Sequence, residues 1–337
     1  KNIIFVNSNI KSYYKYCLKH GFNHNSQIYI WGSKLFPDIE NFAKKNNIKI
    51  TRVEDGFIRS VGLGSDLTRP LSLTFDDLGI YFNPLKESRL ERILNKNTFE
   101  KHIINEAKNL INQIINSRIS KYNFSENINL KLNNSLYKKT ILVVGQVDDD
   151  ASIKLGGFGM SNAKLLKEVK KNNPNSYIIY KSHPDVNYGN RKGNLSKEFL
   201  NKFCHLYLMN INIYSLISLV DEVHTITSLV GFEALLQKKK VFTYGLPFYS
   251  GWGLTIDKIS CPRRKRKLTI TELVAGALIL YPRYIDPNDL EYCKPELLVK
   301  RIVDKKNLIR KDKKLKYLYQ FRNFIIRFLQ KIFQKFK

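Results

Sequence analysis

A chain of 337 residues with 57 Lys and Arg against 29 Asp and Glu, a formal net charge of +28, has room for two domains of ordinary size and calls for an anionic partner. Hydrophobic residues make up 43%, enough for globular cores, yet no stretch approaches the roughly 18 uninterrupted apolar residues of a membrane span. Cys17, Cys204, Cys261 and Cys293 are spaced neither for a zinc site nor for a disulfide framework, which points to a reducing cytoplasm. No signal peptide opens the chain, and a start at Lys1 reads as the edge of a longer polypeptide.

In chain order, Asn2–Val6, Gln27–Trp31 and Ile48–Val53 read as strands and Tyr13–His20 and Phe36–Lys45 as helices, which predicts βαβ units and a parallel sheet. Arg89–Asn116 has helical periodicity with no Pro or Gly, and the Asn-rich stretch Asn123–Lys139 reads as a linker. A second alternation follows: strand Ile141–Gly145, helix Asn162–Lys171, strand Ser176–Lys181, helix Ile213–Leu219, strand Glu222–Thr225, helix Leu229–Leu236 and strand Val241–Tyr244. Two α/β halves, 1–135 and 136–300, predict a bilobal enzyme with its site in the cleft between them. The remainder, 301–337, carries thirteen Lys and Arg against Asp304 and Asp312. Leu315, Leu318, Phe321, Ile325, Phe328, Leu329, Ile332 and Phe336 recur there at helical spacing, the pattern of a basic amphipathic helix at a membrane surface or of a terminal helix packed on the body. No recognised nucleic-acid module is present, so a nucleic-acid partner is not expected.

The apolar run Ile141–Val144 leads into Gly145-Gln146-Val147-Asp148-Asp149-Asp150-Ala151-Ser152. Ligands of α/β folds collect beyond the carboxyl ends of buried strands, and adjacent acids must be paired, exposed or used. Glu54-Asp55-Gly56 holds the equivalent place after the strand ending at Val53, with Arg59-Ser60 and Gly62-Leu63-Gly64 behind it. Facing two such acids across a cleft is the requirement of glycosyl chemistry with two carboxylates. Lys181-Ser182-His183-Pro184-Asp185 closes a strand with two groups able to donate to anionic oxygens. His224-Thr225-Ile226-Thr227-Ser228 opens a helix whose N-terminus favours an anion, although plain capping by Ser228 accounts for it equally. The aromatic and glycine-rich run Tyr244–Thr255 has the look of a loop stacking on a ligand, and Arg263–Lys267 is either a solvated basic face or an attractor of an anionic acceptor or membrane.

The blocks Glu54–Ser60, Gly145–Ser152, Lys181–Val186, Ser228–Glu233 and Tyr244–Thr255, in that order, resemble the capsule polysaccharide β-Kdo transferases of the KpsC/LipB type, over about Trp31 to Pro287. The Gln-Val-Asp-Asp-Asp run and Gly189–Gly193 are most similar to the C-terminal transferase module. Asp148 stands where relatives carry Glu, and Ser182 where Pro precedes the His. The resemblance implies a GT-B-like fold of two Rossmann-like domains and a retaining transfer of Kdo from CMP-Kdo. The acceptor would be a growing oligo-Kdo linker on a lysophosphatidylglycerol anchor in Gram-negative bacteria, with a β-2,7 linkage. It implies Asp150 as nucleophile and Glu54 as general base. Gln146, Ser152, Lys181, His183, Pro184, Thr227, Ser228 and Glu233 would hold the donor, and Asp55, Arg59, Ser60, Tyr249 and Trp252 would meet substrate. The Asp148–Asp150 run could instead hold a divalent metal, as acid clusters do, but no metal or other cofactor is expected, because basic and helix-end groups can already neutralise the leaving phosphate. The implied location is cytoplasmic and peripheral at the inner membrane, with capsule assembly proteins as further partners. Competing readings are a sialyltransferase-like CMP-sugar transferase and a non-catalytic basic binding protein.

Overall fold

A computed structural model describes residues 3–6, 10, 12–62, 64–121, 123, 130–187, 193–209 and 211–335. The chain opens with α1 (Tyr13–Lys19), β1 (Gln27–Trp31), α2 (Pro37–Lys45), β2 (Lys49–Asp55) and β3 (Ser72–Asp76). Then come α3 (Arg89–Lys96) and α4 (Lys101–Ser117). The second unit runs β4 (Thr140–Val144), α5 (Ala151–Gly156), α6 (Asn162–Asn172), β5 (Tyr177–Lys181), α7 (Pro184–Asn187), α8 (Lys197–Phe203) and β6 (Leu206–Leu208). It continues with α9 (Ile213–Ser218), β7 (Glu222–Thr225), α10 (Leu229–Leu236), β8 (Lys240–Thr243) and β9 (Ile256–Asp257). The chain ends in α11 (Ile270–Val274), β10 (Pro282–Ile285), β11 (Tyr292–Cys293), α12 (Pro295–Lys311) and α13 (Lys313–Lys335).

The second sheet has the order β6-β5-β4-β7-β8-β9, and every pairing in it is parallel. Its central strands β4 and β5 are buried at all five positions, the burial that a sheet covered on both faces imposes and the reason they read as continuous apolar runs. The first sheet, β1-β2-β3-β10-β11, is mixed: β1 and β2 are parallel, while β3, β10 and β11 add antiparallel strands. The parallel first sheet expected from the sequence is therefore corrected. Residues 3–6 form no strand, and β10 and β11 return from the far end of the chain to complete the sheet. The segment 136–300 thus contributes to both sheets, and its separation from 1–135 does not hold for residues 282–293.

Two further departures have local causes. The helix expected over Arg89–Asn116 breaks at Asn97, whose extended backbone ends α3. Arg266 from a distant loop donates to the Asn97 carbonyl at 2.6 Å and stands over the Phe99 ring at 5.4 Å, so a tertiary contact replaces helix continuation. The segment 301–337 is also not one tail. Helix α12 buries Leu298, Val299 and Ile302, and Arg301 within it makes a two-pronged ion pair with the buried Asp286. Only α13 projects, and it docks through Arg327, which bridges to both oxygens of the buried Asp66 at 2.7 Å each. Among the described residues no helix is long and apolar enough to cross a membrane. Parts of the Asn123–Lys139 and Gly189–Gly193 stretches, and Leu63 and Phe336, lie outside the described residues.

Candidate active site

A cleft of about 270 Å³ opens where the carboxyl end of the second sheet meets the end of β2. One wall is Glu54 and Phe57, with Tyr81 and Phe82; the other holds Gln146, Asp150, Ser152, Lys181, His183, Pro184, Thr227, Ser228 and Glu233. Ten of the residues singled out in the sequence therefore share one cavity.

The two carboxylates are held differently. Asp150 is the N-cap of α5, and its Oδ1 accepts from the Ser152 amide at 2.8 Å and the Ser152 hydroxyl at 2.7 Å. Its neighbours Asp148 and Asp149 are exposed, so the acid triplet divides, and only Asp150 lines the cleft. Glu54 lies within β2 with its Oε1 accepting from the Asp55 amide at 3.0 Å. Burial raises its pKa, the Asp55 amide and the Lys121 charge oppose the rise, and the charges of Asp55 and Asp150 reinforce it. The charge of Asp150 thus acts on Glu54 across the cavity.

Gln146 ties the wall together. Its Nε2 donates to Thr227 Oγ1 at 3.0 Å, its Oε1 accepts from the Thr227 amide at 2.8 Å, and Thr227 Oγ1 lies 3.1 Å from Ser152 Oγ. This mesh locks the turn after β4 to the turn after β7. Below it, burial lowers Lys181 to about 8 and raises Glu233 to about 7, each charge opposing the other's shift. His183 Nδ1 accepts from the Asp185 amide at 3.1 Å, and burial holds the ring well below its usual pKa against the pull of Asp185. A neutral imidazole with Nδ1 accepting carries its proton on Nε2, so His183 offers the cleft an N–H donor. The Asp185 contact is independent of Ser182, whose hydroxyl accepts instead from Tyr207 at 3.3 Å. Ser228 caps α10, its hydroxyl accepting from the Val230 amide at 3.2 Å, and Ser228, Leu229 and Val230 at that helix end line the same cavity.

Five expected substrate contacts do not reach the cleft. Arg59 is 5% exposed and donates to Asp55 at 2.6 Å and to Ser60 at 3.0 Å. Arg59, Asp55 and Ser60 therefore form a brace behind Glu54. Tyr249 and Trp252 are both 0% exposed. Trp252 donates to the Phe248 carbonyl at 2.8 Å, and the Tyr249 hydroxyl donates to the Ser228 carbonyl, over the bare α-carbon of Gly231. Gly251 and Gly253 sit at positive φ with Arg264 and Lys267 side chains beside them, so these glycines serve internal packing. Leu246, Pro247 and Phe248 are the part of that loop in the cavity wall, and Phe248 stacks on Phe57 at 4.4 Å between centroids. Arg263 and Arg264 are ion-paired to Glu91, and Arg266 to Glu272, which makes much of the basic cluster structural.

The sequence did not flag Lys121, Asn212 or Phe82, which also line the cavity. Lys121 follows the left-handed C-cap of α4 at Arg118, a position with no periodic or motif signal. Asn212 carries one: it caps α9, accepting from the Tyr214 amide at 2.9 Å, as an Asn before an apolar helix commonly does.

The family described as capsule polysaccharide biosynthesis protein matches residues 27–284. A capsule polysaccharide modification protein LipA of Neisseria meningitidis is 45% identical over 285 residues, covering 84% of this chain and 40% of that protein. The lipopolysaccharide-processing protein LpsZ of Rhizobium meliloti is 43% identical over 75% of this chain and 58% of its own length. The chain therefore spans roughly half the length of these curated relatives, or less. Among solved structures, the β Kdo 2,4 transferase of Thermosulfurimonas dismutans KpsC superposes with a TM-score of 0.72 at 32% identity, covering 82% of this chain and 86% of that one. The β Kdo 2,7 transferase of the same KpsC gives 0.69 at 39% identity, covering 87% and 88%.

Proposed function

The chain belongs to the capsule polysaccharide biosynthesis protein family, and from that premise we propose that it is a retaining β-Kdo glycosyltransferase with a GT-B-like arrangement of its two sheets. The donor is CMP-Kdo and the acceptor a lipid-linked oligo-Kdo chain. The observation that carries this reading is the meeting of Glu54 and Asp150, from different sheets, in one cavity with Lys181, His183 and Ser228. The β-2,7 linkage is favoured by the higher identity to the β Kdo 2,7 transferase, 39% against 32%; the reverse order of the TM-scores, 0.69 against 0.72, is too small a difference to weigh against it.

In the first step an Asp150 carboxylate oxygen attacks the anomeric carbon of Kdo. A bond forms between that carbon and Asp150 as the bond to the phosphate oxygen breaks, and CMP departs with the electron pair. Ser152 holds Oδ1, so attack falls to Oδ2. Lys181, the His183 Nε2–H and the positive N-terminal end of α10 stabilise the departing phosphate. In the second step Glu54 takes the proton of the acceptor hydroxyl, the hydroxyl oxygen attacks the same carbon, and Asp150 leaves as a carboxylate. Two inversions give net retention. The leaving group is neutralised by protein groups, so the reaction proceeds without a metal or other cofactor. The chain works in the cytoplasm at the inner membrane surface, where α13 supplies a basic and apolar attachment and capsule assembly proteins are neighbours.

Incubation with CMP-Kdo and a synthetic Kdo-terminated acceptor tests the reading. The expected product is a β-linked Kdo whose position NMR identifies, and donor alone should add the mass of one Kdo to the peptide carrying Asp150. Release of CMP without either product overturns it, as does an α-linked product.

A further inference from the structure

Strand β4 ends at Val144, and the turn behind it presents Asp150 to the cleft while Gln146 and Val147 stay buried. The backbone groups of Gln146 therefore need partners away from water. One side chain supplies both. Asn162 Oδ1 accepts from the Gln146 amide at 2.9 Å, and Asn162 Nδ2 donates to the Gln146 carbonyl at 2.7 Å. Asn162 is the first residue of α6, where Ser161 already caps the helix, so its side chain is left for this task. Its Nδ2 also reaches Asp148 Oδ1 at 3.0 Å. Gly193 passes over the same pair at φ +139°: a β-carbon there would stand 2.8 Å from the Gln146 oxygen and 3.3 Å from Asn162 Nδ2.

From Gln146 onward the hydrogen bonds run one way. The single proton of the Ser152 hydroxyl goes to Asp150 Oδ1 at 2.7 Å, so Ser152 Oγ accepts from Thr227 Oγ1 at 3.1 Å. With its own proton committed, Thr227 Oγ1 accepts from Gln146 Nε2 at 3.0 Å. The Thr227 amide donates to Gln146 Oε1 at 2.8 Å, which fixes the two ends of the Gln146 side-chain amide. Asn162 stands at the far end of a series of donors whose last member holds the proposed nucleophile. It is 2% exposed and is not among the described residues that line the cavity, so its route to the donor runs through that series.

We propose that Asn162 is a positioning residue for Asp150: by holding both polar groups of the Gln146 backbone, it sets the start of a directional hydrogen-bond series that keeps Asp150 Oδ1 engaged and leaves Oδ2 aimed at the anomeric carbon. The inference rests on the transferase reading above, with Asp150 as nucleophile. Asn suits the place because its amide carries a donor and an acceptor side by side; Asp keeps only the acceptor, and Ala has neither. A buried network with every member satisfied holds its side chains in one arrangement, and its members act as a unit rather than one by one.

Single-turnover mixing with CMP-Kdo, followed by intact mass, reads the rate of adduct formation directly. Asn162→Asp keeps the size of the side chain and the oxygen facing the Gln146 amide, and an acid is welcome in the first turn of a helix, but it loses the donor to the Gln146 carbonyl. It should form the adduct about 10²-fold more slowly, the scale of a misplaced reacting group, while CMP binds within about twofold of the unaltered chain by calorimetry. Asn162→Ala should be slowed at least as much. The deciding measurement repeats Asn162→Asp in a Ser152→Ala background. With the series already cut at Ser152, the second substitution should slow the adduct by less than about threefold. A loss as large there as in the parent background would overturn the proposal, because Asn162 would then act on the fold at large. An unchanged rate in Asn162→Asp alone would overturn it too, as would CMP binding weakened in step with the rate. In each case the unaltered chain still forms its adduct and the enzyme reading stands. No adduct on Asp150 in the unaltered chain would instead sink both.

Discussion

The two sheets each present one carboxylate to the cleft, and they do so by opposite means. The second sheet is all parallel and buried on both faces, and it delivers Asp150 to a helix N-cap where two donors from Ser152 fix one oxygen. The first sheet is mixed and half-covered, and it delivers Glu54 from within a strand into a largely desolvated place near like charges. One carboxylate is positioned by hydrogen bonds; the other is tuned by burial. The proposed nucleophile needs a defined line of attack, whereas the proposed general base needs a proton affinity raised toward the working pH, and the two environments match these needs separately.

The sharpest way to break this division is at Asp150. Asn retains the capping oxygen that α5 uses, so Asp150→Asn removes the proposed nucleophile with little effect on the helix, whereas Ala costs about 1 kcal/mol of capping as well. Transfer by Asp150→Asn should fall by on the order of 10⁴ or more, with an unchanged melting temperature and no adduct by intact mass. Turnover close to that of the unaltered chain would remove Asp150 from the chemistry.

Glu54 comes next. Glu54→Gln should lower transfer by roughly 10²–10⁴ while the adduct still forms from donor alone. Because only ionised Glu54 accepts a proton and burial raises its pKa, the rate of the unaltered enzyme should climb with pH along a limb lying above the ordinary glutamate range. That limb should vanish in Glu54→Gln. Its persistence there would assign the titration to another group.

How far the site could be read from the chain follows the same division. Strand Glu222–Thr225 and helix Leu229–Leu236 agree with β7 and α10 to the residue, and β4 shows its burial on both faces as the unbroken apolar run Ile141–Val144. The residues at those strand ends, Gln146, Asp150, Lys181, His183 and Ser228, all reach the cavity. The first sheet was opaque because three of its five strands are antiparallel additions and two of those, β10 and β11, come from about 200 residues downstream of β3. Around Glu54 the chemistry was visible but its direction was not. Arg59 looks like a substrate contact by type and lies behind Glu54, paired to Asp55. Tyr249 and Trp252 look like a stacking platform by composition and are core. Residue type identifies capability; only packing decides which way a side chain faces.

Arg59 offers a measurement of that distinction. Arg59→Met strands the Asp55 carboxylate, with side-chain exposure of only 15%, and should destabilise the fold by about 3–5 kcal/mol in chemical denaturation. The KM for CMP-Kdo in the folded fraction should stay close to that of the unaltered chain. A stable Arg59→Met with a large and selective rise in that KM would restore Arg59 as the carboxylate partner and contradict its placement as a brace.

The smallest expected effect on chemistry, and the cleanest separation of attachment from catalysis, lies in α13. The helix exposes Tyr317, Phe321, Phe324 and Phe328 along one stripe, while Arg327 reaches back to Asp66, which is 1% exposed. Removing residues 313–337 therefore does two things at once: it takes away an apolar surface and leaves a buried carboxylate without its partner, so a loss of activity in the truncated chain would not report on membrane attachment. Replacing Phe321, Phe324 and Phe328 together by Ser keeps Arg327 and separates the two effects. If α13 attaches the enzyme to a bilayer, this variant should lose most of its sedimentation with anionic liposomes while retaining its melting temperature and its transfer to a soluble, lipid-free acceptor. The lysines of α13 contribute about 1 kcal/mol each near an anionic surface, so a residual, salt-sensitive fraction should remain bound. Arg327→Gln should show the converse: a lower melting temperature with liposome binding largely intact. Undiminished sedimentation of the triple variant would place attachment elsewhere, and the ion pairs of Arg263, Arg264 and Arg266 leave Lys265 and Lys267 as the part of that basic cluster to test.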